Sequence, residues 1–425
     1  MRLLLRPRVL HLTQPVDGGV ARVVTDLVRA QLADGFGVTV ACPHGADGPL
    51  GGQLRALGAD VRPWNAARAP GCSLLGEVRR LTRLVDDVRP DLVHAHSAKA
   101  GLAGRLAVRG RIPTVFQPHA WSFEAVGGGT AALARAWERW GARWATRVVC
   151  VSEEERATGL RAGITAHWHV VPNGVDPRHF SPAPGPVGPG HSSPAPTGPA
   201  DPTGTTDPTG TTGTTTAGGT SRGPLVVCVG RLCRQKGQDV LLRAWGPVAE
   251  RVPGARLVLV GDGPDHDRLR DLAPPSVAFT GAVADPLPWY RAADVVVLPS
   301  RWEGMALAPL EAMACARPVV AADVGGARES LPPALAARCL VPAGDPAALA
   351  RAVTALLLDA PLRAELGRLG RAHVLSAHDV RRRTAAVTAL YHDLLAARPG
   401  AARPAPQAPP AEHAVPTEHR ESTHS

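Results

Sequence analysis

Lysine is nearly missing from this chain of 425 residues: of 47 Lys and Arg residues, only Lys99 and Lys236 are lysines. With 45 Gly, 42 Pro and abundant Ala, this is a bias acting on the whole chain. A lysine that survives it marks a position to examine. Aromatic residues are also scarce, at 4%. With so few stacking groups and no recognition motif, the net charge of +10 is poor support for a nucleic-acid-binding module. No run approaches the roughly 20 consecutive apolar residues of a membrane helix. The basic start MRLLLRPRVLHLT has no long apolar region followed by a small-residue cleavage site, and reads as a first strand rather than a signal peptide. The seven cysteines (Cys42, Cys72, Cys150, Cys228, Cys233, Cys315 and Cys339) are scattered, odd in number and free of C-x-x-C pairs. That argues against a disulfide framework and a structural zinc site, and suits a reducing cytoplasm. Neither G-x-G-x-x-G nor a Walker lysine motif occurs, which counts against NAD and P-loop chemistry.

What is present is globular composition, 44% apolar and 20% charged, over a length that suits two domains. Residues 181–223 are low complexity, with the tandem DPTGTTDPTGTT and no large apolar residue across it. Such a segment cannot offset its ordering entropy and is expected to be a disordered linker. Residues 398–425 have the character of a disordered tail. Between them lie two blocks, 1–180 and 224–375, followed by an amphipathic helix in 376–397. Both blocks alternate β-branched apolar runs with helical periodicity. The runs RVLHLT, GVTVACP, PDLVHAH and PTVFQPH lie in the first, and PLVVCVGR, ARLVLVGDGP, DVVVLPS and RPVVAADVGG in the second. Strands apolar on both faces, separated by helices, indicate two doubly wound parallel α/β domains with a cleft at the strand C-termini.

The richest strand end is DVVVLPS followed by RWEGMALAPLEAMACARPVV. Pro309 suits the first turn of a helix, which places Glu311 in that turn and Glu303 on the loop before it. The amides of Gly304, Met305 and Ala306 then lie at a helix N-terminus, a natural anion site. The flanking carboxylates cannot bind an anion, but they can accept hydrogen bonds from vicinal sugar hydroxyls. Glu311 alternatively just complements the helix dipole. In VGRLCRQKGQ, Arg231 and Lys236 follow a strand in a glycine-flanked loop and fit phosphate oxygens; a solvated basic loop is the plainer alternative. Gly261 in LVLVGDGP adds a weak glycine turn. In the first block, Gly18 and Gly19 stand between strand and helix, where bare backbone can approach a phosphate. His96, Ser97 and Lys99 occupy a second strand end, and His119 a third. The pairs His94/His96 and His167/His169 each share a strand face but lack further ligands, so no metal site is expected.

Together these stretches resemble the family 4 (group 1) retaining glycosyltransferases of GT-B fold. The most specific part is the E-x7-E element from Glu303 to Glu311, supported by VGRLCRQKG and the N-terminal GGV. HSAKAGLAGRLA and PHAWSF are further similar to members that build exopolysaccharide or lipid-linked oligosaccharide. The resemblance implies a nucleotide-sugar donor on the second domain. Arg231 and Lys236 would hold the diphosphate, Glu311 the ribose, and Glu303 the donor sugar, near the amides of Met305 and Ala306. Gly281 and Val283 would flank the base, Gly19 would approach the phosphates, and His119 would stand by the anomeric centre. His96, Ser97 and Lys99 are acceptor-side candidates.

The implied activity is metal-independent, cofactor-free, retaining transfer from a nucleoside-diphosphate sugar, UDP favoured and GDP the runner-up. The acceptor would be a lipid-linked glycan or polysaccharide on the cytoplasmic side of an anionic membrane, with Arg79, Arg80, Arg83, Arg135, Arg139 and Arg143 as a candidate membrane face. The alternatives are a sugar-nucleotide epimerase or phosphorylase-like enzyme of the same fold and, remotely, a basic nucleic-acid-binding protein. The resemblance also implies that the helix in 376–397 crosses back onto the first domain. Met305 and Ala306 stand where Phe-Gly is frequent in the family, and the linker is longer than usual.

Overall fold

The computed structural model describes residues 6–67, 71–183 and 223–397. Most of the expected linker and all of the expected tail lie outside these. The first domain holds β1 (Arg8–Thr13), β2 (Gly37–Cys42), β3 (Asp60–Pro63), β4 (Leu92–His96), β5 (Thr114–Gln117), β6 (Arg147–Cys150) and β7 (Trp168–Val170). The second holds β8 (Leu225–Val229), β9 (Arg256–Val260), β10 (Val277–Phe279), β11 (Val295–Leu298), β12 (Val319–Ala322) and β13 (Leu340–Val341). The strand orders are β3-β2-β1-β4-β5-β6-β7 and β10-β9-β8-β11-β12-β13, and the strand pairs within each sheet are parallel.

The two orders obey one rule. Each sheet grows outward from its first strand in one direction and then reverses, so a crevice opens beyond β1 and β4 in one domain and beyond β8 and β11 in the other. The central strands are buried on both faces because helices cover both, which is why Val and Leu dominate them without polar alternation.

The last helix, Val380–Ala396, leaves the second domain and joins the core of the first: Val387, Leu390, Tyr391 and Leu394 pack with Val9, Val24 and Val28. The crossing is fixed by backbone pairing of Val175 with Val380 and by His378 Nδ1 at 2.9 Å from the Asn173 carbonyl. Sequence periodicity alone does not reveal the helix Glu153–Arg161 after β6. Its three leading glutamates mask the weak apolar periodicity. Ser152 nonetheless caps it, accepting from the Glu155 amide.

Candidate functional site

Beyond β11 the chain turns through Pro299 and Ser300 into the Glu303 loop. Lys236 Nζ lies 2.6 Å from Glu303 Oε1, and Ser300 Oγ donates to the same oxygen at 2.8 Å. Two glycines permit this crowding. Gly237 has φ +68, and a Cβ there would stand 2.0 Å from the Pro299 carbonyl; Gly325 has φ +49, and a Cβ would stand 1.8 Å from the Glu303 carbonyl. Gly325 belongs to the DVGG turn, where the sequence pattern alone marks only the end of a strand. Arg231 follows β8, next to β11 in the sheet, and its guanidinium makes no hydrogen bond or ion pair among the described residues. Gly261 and Gly281 are hydrogen-bonded to each other at 3.0 Å, and Val283, half-buried, packs on the domain core.

Glu311 stands one turn deeper than expected. The helix runs Leu307–Ala314, with Ala306 as its N-cap, so Pro309 is its third residue and Glu311 lies in the second turn. There Tyr290 donates its hydroxyl to Glu311 Oε2 at 2.7 Å, and Arg22 of the first domain donates to Oε1 at 3.0 Å. Burial raises the Glu311 carboxyl above its ordinary value, opposed by the Arg22 charge and the Tyr290 hydrogen bond. Neither Arg22 nor Tyr290 was singled out from sequence. Both reach Glu311 from elements remote in the chain.

Gly19, in the first turn of the helix Gly18–Ala33, faces Leu307: a Cβ on Gly19 would lie 3.7 Å from the Leu307 side chain. Two helix N-termini, one from each domain, therefore converge beside Arg22, Glu303 and Glu311. Their unpaired amides and dipoles favour a negative charge between them. Across the same cleft, Asn173 Nδ2 donates to the Met305 carbonyl at 2.7 Å, and Ser152 Oγ to the Gly304 carbonyl at 3.2 Å. Glu329 of the second domain accepts from the Glu153 and Glu154 amides at 2.7 and 2.8 Å, capping the Glu153–Arg161 helix.

His119 follows β5 with φ +56, and the next residue, Ala120, has φ +95. The Ala120 amide donates to Glu155, and a Cβ on Gly304 would lie 3.0 Å from it. The His119 turn thus meets the loop between Glu303 and Glu311. Burial raises Glu155 to about 7 and lowers His119 to about 3. His96 is not a cleft residue: it is fully buried, its Nδ1 3.2 Å from His119 Nε2. Behind it are His94, whose ring centroid is 3.9 Å away, and His11, whose Nδ1 is 3.0 Å from His96 Nε2.

His11 was missed because a histidine inside the apolar run of β1 looks like core. Ligand atoms of His11, His94 and His96 lie within 4.8 Å of one another, a grouping the sequence alone did not show. His167 and His169 are exposed and join no such cluster among the described residues. Ser97 is half-buried with φ +71, at the start of a helix rather than in a loop. Lys99 also departs from expectation. It lies in the first turn of that helix, Ser97–Val108, and its buried Nζ pairs with buried Glu77 at 2.7 Å. An ammonium held in the interior by a carboxylate is not presented to an acceptor.

Residues 17–179 match the sequence family described as Glycosyltransferase Family 4, and residues 223–359 match Glycosyl transferases group 1. The alpha-maltose-1-phosphate synthase of Mycolicibacterium smegmatis is 32% identical over 315 residues, 65% of this chain and 74% of the relative. The chain belongs to the family 4, group 1 glycosyltransferases. A GDP-mannose-dependent monoacylated alpha-(1-6)-phosphatidylinositol monomannoside mannosyltransferase of Corynebacterium glutamicum is 36% identical over 167 residues, 36% of this chain and 43% of the relative. Its counterparts in mycobacteria are likewise matched over less than half of their own length. Among solved structures, Anabaena HepE in complex with UDP and glucose superposes with a TM-score of 0.70 at 22% identity, covering 90% of this chain and 99% of that one. This glycosyltransferase therefore has the GT-B fold, two Rossmann-like domains about a central cleft.

Proposed function

We propose that this glycosyltransferase moves a sugar from a nucleoside diphosphate to a lipid-linked or polysaccharide acceptor, with retention of configuration and without a metal ion. The observation that carries the reading is the cleft itself: two facing helix N-termini, a guanidinium without a partner among the described residues, the Lys236–Glu303 pair, and Glu311 within reach of both domains. The diphosphate lies between the helix starts of Gly19 and Leu307. Arg231 and Lys236 stabilise the charge that grows on the leaving phosphate, a stabilisation aimed at the transition state. Glu311 accepts the ribose hydroxyls in place of Arg22. Glu303, its Oε1 fixed by Lys236 and Ser300, offers Oε2 to the donor sugar. The departing phosphate oxygen takes the acceptor's proton on the same face, so the new bond keeps the anomeric configuration.

UDP was the base favoured from sequence. The names of the phosphatidylinositol mannosyltransferase relatives and of the Rhizobium lipopolysaccharide core mannosyltransferases favour mannose, and the former GDP-mannose. GDP-mannose is therefore the donor to test first, against UDP-glucose. No described helix is long and apolar enough to cross a membrane. Exposed Arg79, Arg80, Arg83, Arg135, Arg139 and Arg143, with Trp140 and Leu133 beside them, suit a peripheral position on an anionic cytoplasmic leaflet.

The test is a donor panel with and without an undecaprenyl- or phosphatidylinositol-linked acceptor. Acceptor-dependent release of nucleoside diphosphate supports transfer. Conversion of the sugar without acceptor points to an epimerase instead.

A further inference from the structure

Four side chains run from the interior to the cleft in a single line. Gln31 Oε1 is 2.7 Å from His11 Nε2, His11 Nδ1 is 3.0 Å from His96 Nε2, and His96 Nδ1 is 3.2 Å from His119 Nε2. Strand register builds the line. In β1 and β4, His11 pairs with His94 and Thr13 with His96; in β4 and β5, His96 pairs with Gln117, two residues before His119. Gln31, His11, His94 and His96 are fully buried. His94 stands beside the line, its Nδ1 hydrogen-bonded to the Tyr391 hydroxyl of the last helix and its ring against His96. Among the described residues no carboxylate, ammonium or guanidinium hydrogen-bonds to any of the four rings. Burial accordingly keeps them neutral, His11 down to about 4 and His119 to about 3.

A neutral imidazole has one N–H and one lone pair, so each ring in such a line must donate one way and accept the other. The amide oxygen of Gln31 can only accept. His11 therefore carries its proton on Nε2 and presents a bare Nδ1. That lone pair needs a donor, so His96 carries its proton on Nε2 and is bare at Nδ1. His119 must then donate from Nε2, which leaves its Nδ1 bare. That nitrogen makes no hydrogen bond within the described residues.

We infer that Gln31, His11 and His96 are positioning residues that hold His119 in its Nε2–H form, so that the group His119 offers the donor sugar is the lone pair of Nδ1. The inference rests on the reading that His119 lies beside that sugar. A lone pair accepts from a sugar hydroxyl, and it turns the negative end of the ring dipole toward a carbon that gains positive charge. The opposite tautomer would present an N–H and repel that charge. One buried amide on the helix Gly18–Ala33 thus sets the polarity of a cleft residue three hydrogen bonds away.

The direct test is two-bond 1H–15N correlation on the full-length protein labelled with 15N-histidine, assigned through single His→Asn variants. The inference expects the Nε2–H form at His11, His96 and His119. It also expects His96→Leu to leave His119 a mixture of tautomers and to lower kcat about tenfold with donor KM little changed. His96→Gln can donate to His11 and accept from His119, so it should keep the single tautomer and run several-fold faster than His96→Leu. Gln31→Leu gives an independent break in the line if the His96 variants do not fold. An Nδ1–H form at His119 in the wild type overturns the inference. So does a stoichiometric metal ion whose removal shifts His11, His94 and His96, because the metal would use the same lone pairs. Equal rates for His96→Leu and wild type overturn the positioning role while leaving the tautomer in place. Absence of nucleotide-sugar transfer by a wild type that shows the expected tautomers overturns instead the reading beneath it.

Discussion

Arg22 of the first domain donates to Glu311 of the second at 3.0 Å, on the carboxylate oxygen that Tyr290 leaves free. The pair spans the cleft where the proposed donor's ribose would sit, so the ribose must take the place of Arg22. The Arg22 side chain is 33% exposed, and such partly exposed pairs are worth about 0.2–1 kcal/mol. Arg22→Ala should therefore lower donor KM by up to about fivefold and leave kcat within a small factor. Initial-rate kinetics check it; a raised KM would show that Arg22 binds the donor rather than yielding to it.

Lys236 and Glu303 act as one unit in the proposed chemistry. Lys236→Met removes a charge aimed at the leaving diphosphate and frees a nearly buried carboxylate. Its kcat should fall by about 100-fold or more, and the Glu303→Gln variant should fall comparably. The double variant should lose far less than the product of the two single effects, because groups acting together are not additive. Multiplicative losses in single-turnover rates would place them in separate roles.

The Lys99–Glu77 pair gives the opposite pattern. Both side chains are buried, so Lys99→Met strands an uncompensated carboxylate and should cost about 3–5 kcal/mol of stability. The double variant Lys99→Met with Glu77→Leu should recover most of it. Urea denaturation reads the stability. The kcat of the folded single variant should match wild type, and a specific loss of acceptor affinity would restore Lys99 as a substrate contact.

Acid should weaken the fold early. His11, His94, His96, His119 and His378 are held neutral by burial, with His11 and His378 lowered to about 4 and His119 to about 3. The unfolded chain takes up protons below about pH 6.5 that the folded chain refuses, so stability present above that pH is lost as pH falls toward 4. Each refusal costs about 1.4 kcal/mol per pH unit in that window. Glu155, raised to about 7, acts in the other sense, since the folded chain keeps a proton that the unfolded one releases. Burial also raises Asp26, Glu124, Glu138 and Glu311, but from ordinary carboxyl values of about 4, and His373 joins the lowered histidines, so the histidines set the sign between pH 7.5 and 5.5. Melting temperatures at pH 7.5 and 5.5 should show a clear drop, smaller in His378→Gln; an unchanged melting temperature would contradict the buried neutral cluster.

The architecture was legible because parallel strands covered on both faces leave unbroken apolar runs, and because glycines mark the turns at their ends. Glu303, Arg231 and Lys236 could be placed for a related reason, since each follows such a strand end closely; Glu311, farther on, was placed only through Pro309 and the helix that it marks. What escaped the sequence was pairing at long range. His11 gains its meaning from β4, a neighbour in space and some 80 residues on in the chain. Tyr290 is known as a partner of Glu311 only once the second domain folds, and Arg22 only once the two domains meet. Lys99 misled because rarity marked it, yet a lysine can be kept for a buried carboxylate as readily as for a substrate. Glu311 moved one turn because the helix starts at Leu307, ahead of the proline that looked like its first turn.

The measurement closest to the central claim compares wild type with Glu311→Ala for donor-dependent transfer, using GDP-mannose and UDP-glucose and following the glycosylated lipid acceptor by mass spectrometry. Wild type should transfer from one of the two, and the variant, folded by its melting temperature, should lose about 100-fold or more in kcat/KM for that donor. Wild-type rates in Glu311→Ala, or no transfer from either nucleotide sugar, would contradict the assignment of this cleft.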